Sequence, residues 1–161
     1  MKLSCLDFNF VEKIGKAALL TATKPNGESN TMTVSWGGAG VLWGKEVVFA
    51  FVRPERHTFE FCEEGSKMSL SFFGEERKKT LSYCGTNSGR DVDKFKECNL
   101  SYTLKDGACI FDDAEITLLL KKTYADEIKE SGFFSDTPKG FYKDSGLHKM
   151  YICEVEEIIK K

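Results

Sequence analysis

Short apolar runs, most of them ended by glycine, proline or asparagine, restrict the fold of this 161-residue chain more than any other feature of its sequence. Their β-branched residues and alternating polar side chains are typical of strands with one packed face. The runs that predict strands cover residues 17–23, 30–36, 46–52, 67–73, 115–124 and 150–159. Because they do not alternate regularly with helices, we expect an antiparallel barrel or sandwich with short helices rather than a doubly wound parallel sheet.

Turn-forming and amphipathic segments fill the spaces between these runs. Pro25-Asn26-Gly27 predicts a tight turn that joins the first two strands into a hairpin. Four glycines and two tryptophans between residues 36 and 44 indicate a loop. Residues 131–146, rich in glycine, serine, aspartate and aromatic residues, indicate a long surface loop. Short helices are predicted near 54–65, 75–83 and 93–98.

Length and charge limit the classes of function open to the chain. A chain of this length predicts a single domain, residues 1–161, whose core needs neither a metal nor disulfides. Its 23 basic and 25 acidic side chains leave a net charge of -2, which argues against a nucleic-acid-binding face. No apolar run reaches the ~20 residues of a membrane span, and the first residues lack a secretory signal. We therefore expect a cytoplasmic protein without membrane or nucleic-acid partners.

The cysteines and histidines show no spacing typical of a metal site or a disulfide framework. Six cysteines are spread along the chain, and His57 and His148 are far apart. We expect reduced thiols and no bound metal. Cys84 lies beside the polar segment 85–89, but no neighbouring histidine or second cysteine in the sequence would activate it as a redox thiol.

Three of the four arginines, Arg53, Arg56 and Arg90, fall in two short loop-like segments. A planar guanidinium can hold a phosphate through two parallel hydrogen bonds, so these segments indicate a phosphate site. Hydroxyl donors for the same phosphate would come from Thr58, Thr86 and Ser88. In the alternative interpretation, which the spacing leaves open, the arginines form surface ion pairs with Glu55, Glu60 or Asp91.

Small polar and large flat side chains follow one another at the end of the second predicted strand. Thr31, Thr33 and Ser35 offer hydroxyls, while Met32 and Trp36 offer adaptable or flat apolar surface. Such a slot suits a planar heteroaromatic ring, for which backbone donors can stabilise a reduced flavin. The alternative is a tryptophan-capped barrel rim without a ligand.

Four ordered segments together resemble the flavin reductase-like, FMN-binding split-barrel family. They are Asn-Thr-Met-Thr-Val-Ser-Trp-Gly at 30–37, Val-Arg-Pro-Glu-Arg-His-Thr-Phe-Glu-Phe at 52–61, Cys-Gly-Thr-Asn-Ser-Gly-Arg-Asp-Val-Asp-Lys-Phe at 84–95 and Gly-Leu-His-Lys-Met-Tyr-Ile-Cys-Glu-Val at 146–155. Within the family the chain looks most like the flavoredoxin branch. The resemblance implies a mainly β fold, an antiparallel Greek-key split β-barrel, that forms a homodimer with FMN near the subunit interface.

The resemblance also implies a set of cofactor-binding residues. The isoalloxazine ring would be bordered by Asn30, Thr31, Met32, Thr33, Ser35 and Trp36. The phosphate and ribityl chain would be served by Arg53, Arg56 and Thr58, and Ser71 on the next strand would contribute. The last segment would supply Ser88, Gly89 and Lys94, with the Lys94 charge favouring the anionic reduced ring. Relatives that are longer continue past the last strand, so we expect any cofactor contact from such a tail to be missing or supplied differently here.

His148 precedes the last predicted strand, and two roles are open for it. It could reach the mouth of the site as a catalytic proton donor or nicotinamide contact, or it could be a neutral, hydrogen-bonded imidazole at a dimer seam. The resemblance implies an FMN flavoprotein that passes hydride or electrons from NAD(P)H or a protein donor to an acceptor, as a reductase-like oxidoreductase or a flavoredoxin-like carrier. The alternative function is a non-catalytic β-barrel that binds a ligand or partner through its aromatic segment.

Overall fold

The computed structural model describes the whole chain, Met1 to Lys161, and contains nine strands. They are β1 (Ala18–Thr23), β2 (Ser29–Val34), β3 (Gly37–Leu42), β4 (Lys45–Val52), β5 (Lys67–Phe72), β6 (Tyr102–Lys105), β7 (Ala108–Phe111), β8 (Ile116–Glu127) and β9 (Lys149–Lys160). Seven of them form one sheet in the order β2-β1-β5-β8-β9-β4-β3, and β6 pairs with β7 in a separate hairpin. Every neighbouring pair is antiparallel. The prediction of a mainly β, antiparallel architecture is therefore confirmed.

The chain also contains five short helices, one before β1 and four between later strands, and none is long and apolar enough to cross a membrane. They are α1 (Phe10–Gly15), α2 (Thr58–Glu64), α3 (Lys78–Thr86), α4 (Lys94–Glu97) and α5 (Asp136–Lys139). Side-chain caps fix where two of them begin. Asn9 accepts a hydrogen bond from the Glu12 amide at the start of α1, and Asp93 accepts from the amides of Phe95 and Lys96 at the start of α4.

The large sheet curls around one core. A cluster of 20 buried residues runs from β2 and β1 through β5 and β8 to β9 and β4, with Tyr151 and Phe61 among its largest members. Residues at the end of β2 line one cavity together with Phe51 and Arg53, although β2 and β4 lie near opposite ends of the strand order. Only a curled sheet brings those ends together, which is the geometry of a split barrel. A second cluster of eight buried residues lies under α3 and β7.

The glycine-rich segment after β2 is a strand, so its prediction as a loop was wrong. Residues Gly37–Leu42 form β3, an edge strand whose register with β4 sets Gly38 opposite Phe49. A Cβ on Gly37 would lie 2.9 Å from the Phe49 carbonyl oxygen, so the absence of a side chain allows this close pairing. Trp43 and Gly44, with φ values of 51° and 70°, form the turn into β4. Glycines carry no polar–apolar alternation, which is why the sequence pattern missed the strand.

The β6–β7 hairpin was also missed. Its first strand is exposed along its length and so lacks a buried face that alternation could reveal. The local signal was the Asp106-Gly107 pair, whose positive φ values of 50° and 82° form the turn. The predicted surface loop after β8 contains α5 and two 3₁₀ turns, and no residue from 129 to 147 is buried.

Candidate functional site

A cleft of about 270 Å³ opens where β2 and β4 end, and we call it the Trp36 cleft. The pairing of β4 with β9 sets Val52 opposite Lys149, so the next residues outward, Arg53 and His148, lie side by side. The cleft is lined by Met32, Thr33, Val34, Ser35, Trp36, Phe51, Arg53, Arg56 and His148. All except Val34 and Phe51 are residues that the sequence predicts for the site.

A second cavity of about 150 Å³ adjoins the cleft, and we call it the polar pocket. It contains no hydrophobic residue, and Arg56 lines both cavities. Its lining comprises Glu55, Arg56, His57, Thr58, Gly85, Thr86, Asn87, Ser88, Gly89 and Lys94. The segments at 52–61 and 84–95, which are far apart in sequence, therefore meet in one pocket as predicted.

Arg56 is a partly buried cation without an anionic partner. Burial, with a further effect of the nearby Arg53 charge, lowers the pKa of its guanidinium, and no carboxylate opposes that shift. Half-burying an unpaired guanidinium is costly unless a group outside the chain offsets the charge. Its position between the cleft and the polar pocket makes Arg56 the strongest anion-binding candidate in the chain.

Lys94 is a second such cation. Its side chain is 3% exposed, and its Nζ donates to the carbonyl oxygens of Thr31 at 2.9 Å and Cys84 at 2.8 Å. Burial lowers the pKa of its ammonium to about 8, and the charge of Arg56 acts in the same direction. The two carbonyls satisfy hydrogen bonds but carry no full charge, so an anion in the polar pocket would stabilise Lys94 as well as Arg56.

The arrangement around Gly89 leaves no room for a side chain. A Cβ on Gly89 would collide with Oδ1 of Asn30, whose Nδ2 donates to Oγ1 of Thr58 at 2.8 Å. The same Cβ would lie 3.0 Å from Cδ2 of His57. The chain thus passes closely over β2 and the start of α2, which holds Ser88 and Gly89 at the wall of the polar pocket.

Arg53 differs from Arg56 because its donors are already occupied. Its Nη1 donates to Ser145, its Nη2 donates to the Phe141 carbonyl at 3.2 Å, and its Nε donates to Nε2 of His148 at 3.4 Å. Its guanidinium also lies 5.4 Å from the centre of the Tyr142 ring. Arg53 lines the Trp36 cleft but not the polar pocket, so its predicted place at a phosphate stays a prediction that this geometry does not favour.

His148 borders the Trp36 cleft as a buried, neutral ring. Since Arg53 donates to Nε2, the ring proton lies on Nδ1, which is 2.8 Å from the Tyr142 hydroxyl. Burial, then the Arg53 charge, lowers the pKa of His148 from 6.5 to about 4. The hydrogen bonds and the lowered pKa agree with a neutral imidazole, while its predicted position at a dimer seam stays a prediction. A catalytic role stays a prediction, and here it would be contact through the ring beside Trp36 rather than proton donation.

Three predicted site residues, Asn30, Thr31 and Ser71, line neither the Trp36 cleft nor the polar pocket. The Thr31 hydroxyl is buried, accepts a hydrogen bond from the Thr21 hydroxyl on β1 at 2.9 Å and donates to the Leu20 carbonyl at 3.3 Å, so only its backbone faces Lys94. Ser71 is fully buried and shares a hydrogen bond of 3.1 Å with Thr117 on β8. Asn30 lines a third cavity of about 510 Å³ on the other side of Gly89. The strands carry the Thr31 and Ser71 side chains toward the core, and a short motif in the sequence does not reveal that direction.

Arg90 follows the surface ion-pair interpretation. It binds the carboxylate of Glu60 and donates to the Glu55 carbonyl at 3.1 Å. It does not line the cleft or the polar pocket. The three arginines of the two loop segments therefore have three different environments.

Sequence reasoning missed two residues that shape the site. Phe51 lines the Trp36 cleft from the end of β4, and Tyr142 holds His148 through its hydroxyl. The alternation along β4 could have indicated Phe51, because it places that side chain on the same face as Phe49. Nothing local in the sequence points to Tyr142, which the segment between β8 and β9 brings to the cleft.

A family model described as "Flavin reductase like domain" matches residues 14–159. The chain belongs to the flavin reductase-like family. The predicted resemblance is therefore confirmed, and the matched residues include both cavities and all strands except the last residue of β9. No curated protein is significantly similar to the chain in sequence.

Solved structures share the fold of this flavin reductase-like chain at low sequence identity. An FMN-binding protein from Thermus thermophilus with bound 1-cyclohex-2-enone is 18% identical, with 89% of this chain and 70% of that chain covered and a TM-score of 0.68. Flavoredoxin from Methanosarcina acetivorans is 17% identical, with 90% and 68% covered and a TM-score of 0.68. Flavoredoxin of Desulfovibrio vulgaris (Miyazaki F) is 16% identical, with 90% and 69% covered and a TM-score of 0.70.

The pKa of His148 gives a testable pH dependence. The unfolded chain binds more protons than the folded one between the unfolded value of 6.5 and the folded value of about 4. Stability is therefore lost as the pH falls through this window, by about 3 kcal/mol at most from this residue, and is fully retained above it.

We expect the NMR chemical shifts of the His148 ring to stay at the values of a neutral imidazole from pH 8 to pH 5. A signal that titrates near pH 6.5 would contradict the assignment. In His148→Gln, the slope of unfolding free energy against pH should be smaller across the window.

Proposed function

We propose that the chain binds FMN and passes hydride or electrons from NAD(P)H or a protein donor through it to an acceptor. The observation that carries the proposal is the pair of buried or half-buried cations, Arg56 and Lys94, which have no carboxylate partner and lie beside an aromatic cleft. Membership of the flavin reductase-like family supports the flavin. The fold shared with an FMN-binding protein and with flavoredoxins supports FMN as its form.

Each of the two cavities would hold a different part of the proposed cofactor, one its charged phosphate and the other its flat ring. A phosphate in the polar pocket would receive hydrogen bonds from Arg56 and charge stabilisation from Lys94, with Ser88 and Thr58 beside it. The isoalloxazine ring would lie in the Trp36 cleft. Bound FMN would supply the redox chemistry, and the chain's own residues would bind it, orient it and limit its exposure to water.

The phosphate assignment predicts that removing the Arg56 side chain lowers the affinity for FMN but not the affinity for riboflavin. We expect Arg56→Ala to weaken FMN binding by about tenfold to a hundredfold, since a charge-assisted hydrogen bond contributes about 1.5–3 kcal/mol. Riboflavin, which lacks the phosphate, should bind equally to both proteins. The measurement is flavin fluorescence quenching on titration of the apoprotein.

Arg90→Ala is the matched control, because Arg90 is a surface arginine of the same region that pairs with Glu60. Its FMN affinity should stay at the wild-type value. Equal FMN affinity in Arg56→Ala and wild type would refute the phosphate assignment. A chain that binds neither FMN nor riboflavin would instead support the non-catalytic β-barrel alternative.

The lowered pKa of Lys94 predicts that FMN binding weakens in alkaline solution. Below its pKa of about 8 the ammonium is charged and attracts the phosphate, and above it the free protein loses that charge. A bound phosphate raises the pKa of Lys94, so the dissociation constant should increase by up to tenfold per pH unit above pH 8. The Lys94→Met variant should bind FMN more weakly below pH 8 and show no such inflection. An inflection of the same size in Lys94→Met would exclude Lys94 as its source.

We also propose that the protein is a homodimer, as the family resemblance implies. The β3–β4 hairpin supports this, because Val41, Trp43 and Tyr124 form an exposed apolar patch beside the edge strand β3. Trp43 is 63% exposed, with its ring centre 6.3 Å from that of Tyr124. A second copy that covers this patch would remove a large aromatic surface from water.

Substituting Trp43 tests the dimer surface. In light scattering after size exclusion, the wild-type chain should have twice the monomer mass, and Trp43→Glu should shift it to the monomer at micromolar concentration because a buried carboxylate opposes association. The control is Phe134→Glu, which changes an aromatic residue outside the patch that is still more exposed than Trp43. A monomeric wild type, or a Trp43→Glu dimer of unchanged affinity, would refute the assignment.

A further inference from the structure

The segment between β8 and β9, residues 129–147, lies against the Trp36 cleft, and we call it the strap. None of its residues is buried, and Phe134 is completely exposed. From residue 129 to residue 140 its ion pairs and hydrogen bonds are all local, such as the pair between Lys139 and Asp136. A segment with so few buried contacts belongs to the least stable part of a fold, and its position depends on a small number of anchors.

Arg53 provides the main anchor of the strap. Its two terminal nitrogens reach the Ser145 hydroxyl and the Phe141 carbonyl, and its guanidinium lies over the Tyr142 ring. Its Nε meanwhile holds His148 at the cleft wall. The side chain that directly follows β4 therefore contacts three residues of the strap and His148, which follows the strap.

Glu55 provides a second anchor two residues further along. Its Oε1 accepts a hydrogen bond from the Gly146 amide. A Cβ on Gly146 would lie 2.9 Å from the same oxygen, so the glycine allows this approach. The two anchors carry opposite charges and come from one short loop. They hold only the second half of the strap.

Phe141 is the point at which the strap meets the cleft. Its ring packs edge-on against Trp36 with 5.3 Å between the ring centres, yet it remains 58% exposed. Trp36 itself is 45% exposed. The contact therefore covers part of the Trp36 ring without filling the cleft, and it depends on the Phe141 backbone that Arg53 holds.

We propose that the strap is a lid on the Trp36 cleft and that Arg53 is the positioning residue that keeps it closed. With the donors that face the strap and His148 occupied, Arg53 fixes the strap, whereas Arg56 binds the anion. Release of the Arg53 contacts frees the strap from the cleft and exposes Trp36. That the closed lid shields a flavin ring rests on the proposed function, but the closure itself does not.

Fluorescence of Trp36 tests the closure without any flavin. In a Trp43→Phe background Trp36 is the single tryptophan, and its quenching by acrylamide reports its exposure. We expect Arg53→Ala to raise the quenching constant by about twofold, the ratio between full exposure and the present 45%. Arg53→Lys keeps the charge but lacks the planar fork, so its quenching should be closer to that of Arg53→Ala than to wild type. Arg90→Ala should leave the quenching unchanged.

Hydrogen exchange of the strap amides provides an independent measurement. Arg53→Ala should speed exchange across residues 141–145 by about tenfold, while β9 keeps its protection. Ser145→Ala removes the hydroxyl that accepts the Arg53 hydrogen bond and leaves Arg53 itself unchanged. Its effect and that of Arg53→Ala should be less than additive in the double variant, because both remove one interaction.

The outcomes separate the lid from the cofactor. Unchanged quenching and exchange in a folded Arg53→Ala protein would overturn the lid, whether or not FMN binds. Increased quenching and exchange together with FMN affinity close to wild type would support the lid and would exclude Arg53 as a phosphate ligand. A loss of FMN affinity in Arg53→Ala as large as in Arg56→Ala, without a change in the strap, would make Arg53 a phosphate ligand and refute its role as the anchor.

Discussion

The pairing of β9 with both β8 and β4 is the constraint on which the rest of the molecule depends. β9 is twelve residues long and joins the strands of the first half of the sheet to the β3–β4 hairpin, which without it would be an isolated pair. An isolated hairpin is at best marginally stable in water. The same pairing sets Val52 opposite Lys149 and so places Arg53 next to His148. One strand register thus supports the curled sheet and one wall of the cleft.

Charge distribution then determines what each basic residue of the site can do. Arg90 is paired at the surface and Arg53 is occupied by the strap and His148, which leaves Arg56 and Lys94 without anionic partners. Unpaired cations in a half-buried, wholly polar pocket are unfavourable in the free protein, and the phosphate of the proposed cofactor would offset that cost. Neutral His148 fits the same scheme, because the Arg53 charge would repel a charged imidazolium.

Alternation and turn residues predicted most strands of the large sheet, but they cannot predict a strand that lacks a patterned buried face. Strands β1, β2, β4, β5, β8 and β9 each have a buried face that leaves a pattern in the sequence. The edge strand β3 is built largely of glycine, and β6 is exposed along its length, so neither shows one. Their hairpins are instead fixed by positive φ at Trp43-Gly44 and Asp106-Gly107 and by pairing with a neighbouring strand.

The sequence by itself determined the class of fold, the family and the segments that meet at the site, because strand periodicity and short motifs are local properties of the chain. Only the tertiary structure decided which of the arginines remains free, that His148 is neutral, and that the Thr31 and Ser71 hydroxyls turn into the core. Those outcomes depend on partners far away in sequence, such as the strap contacts of Arg53 and the carbonyls that hold Lys94. A side chain's charge and freedom are set by what packs around it, and a linear pattern does not contain that information.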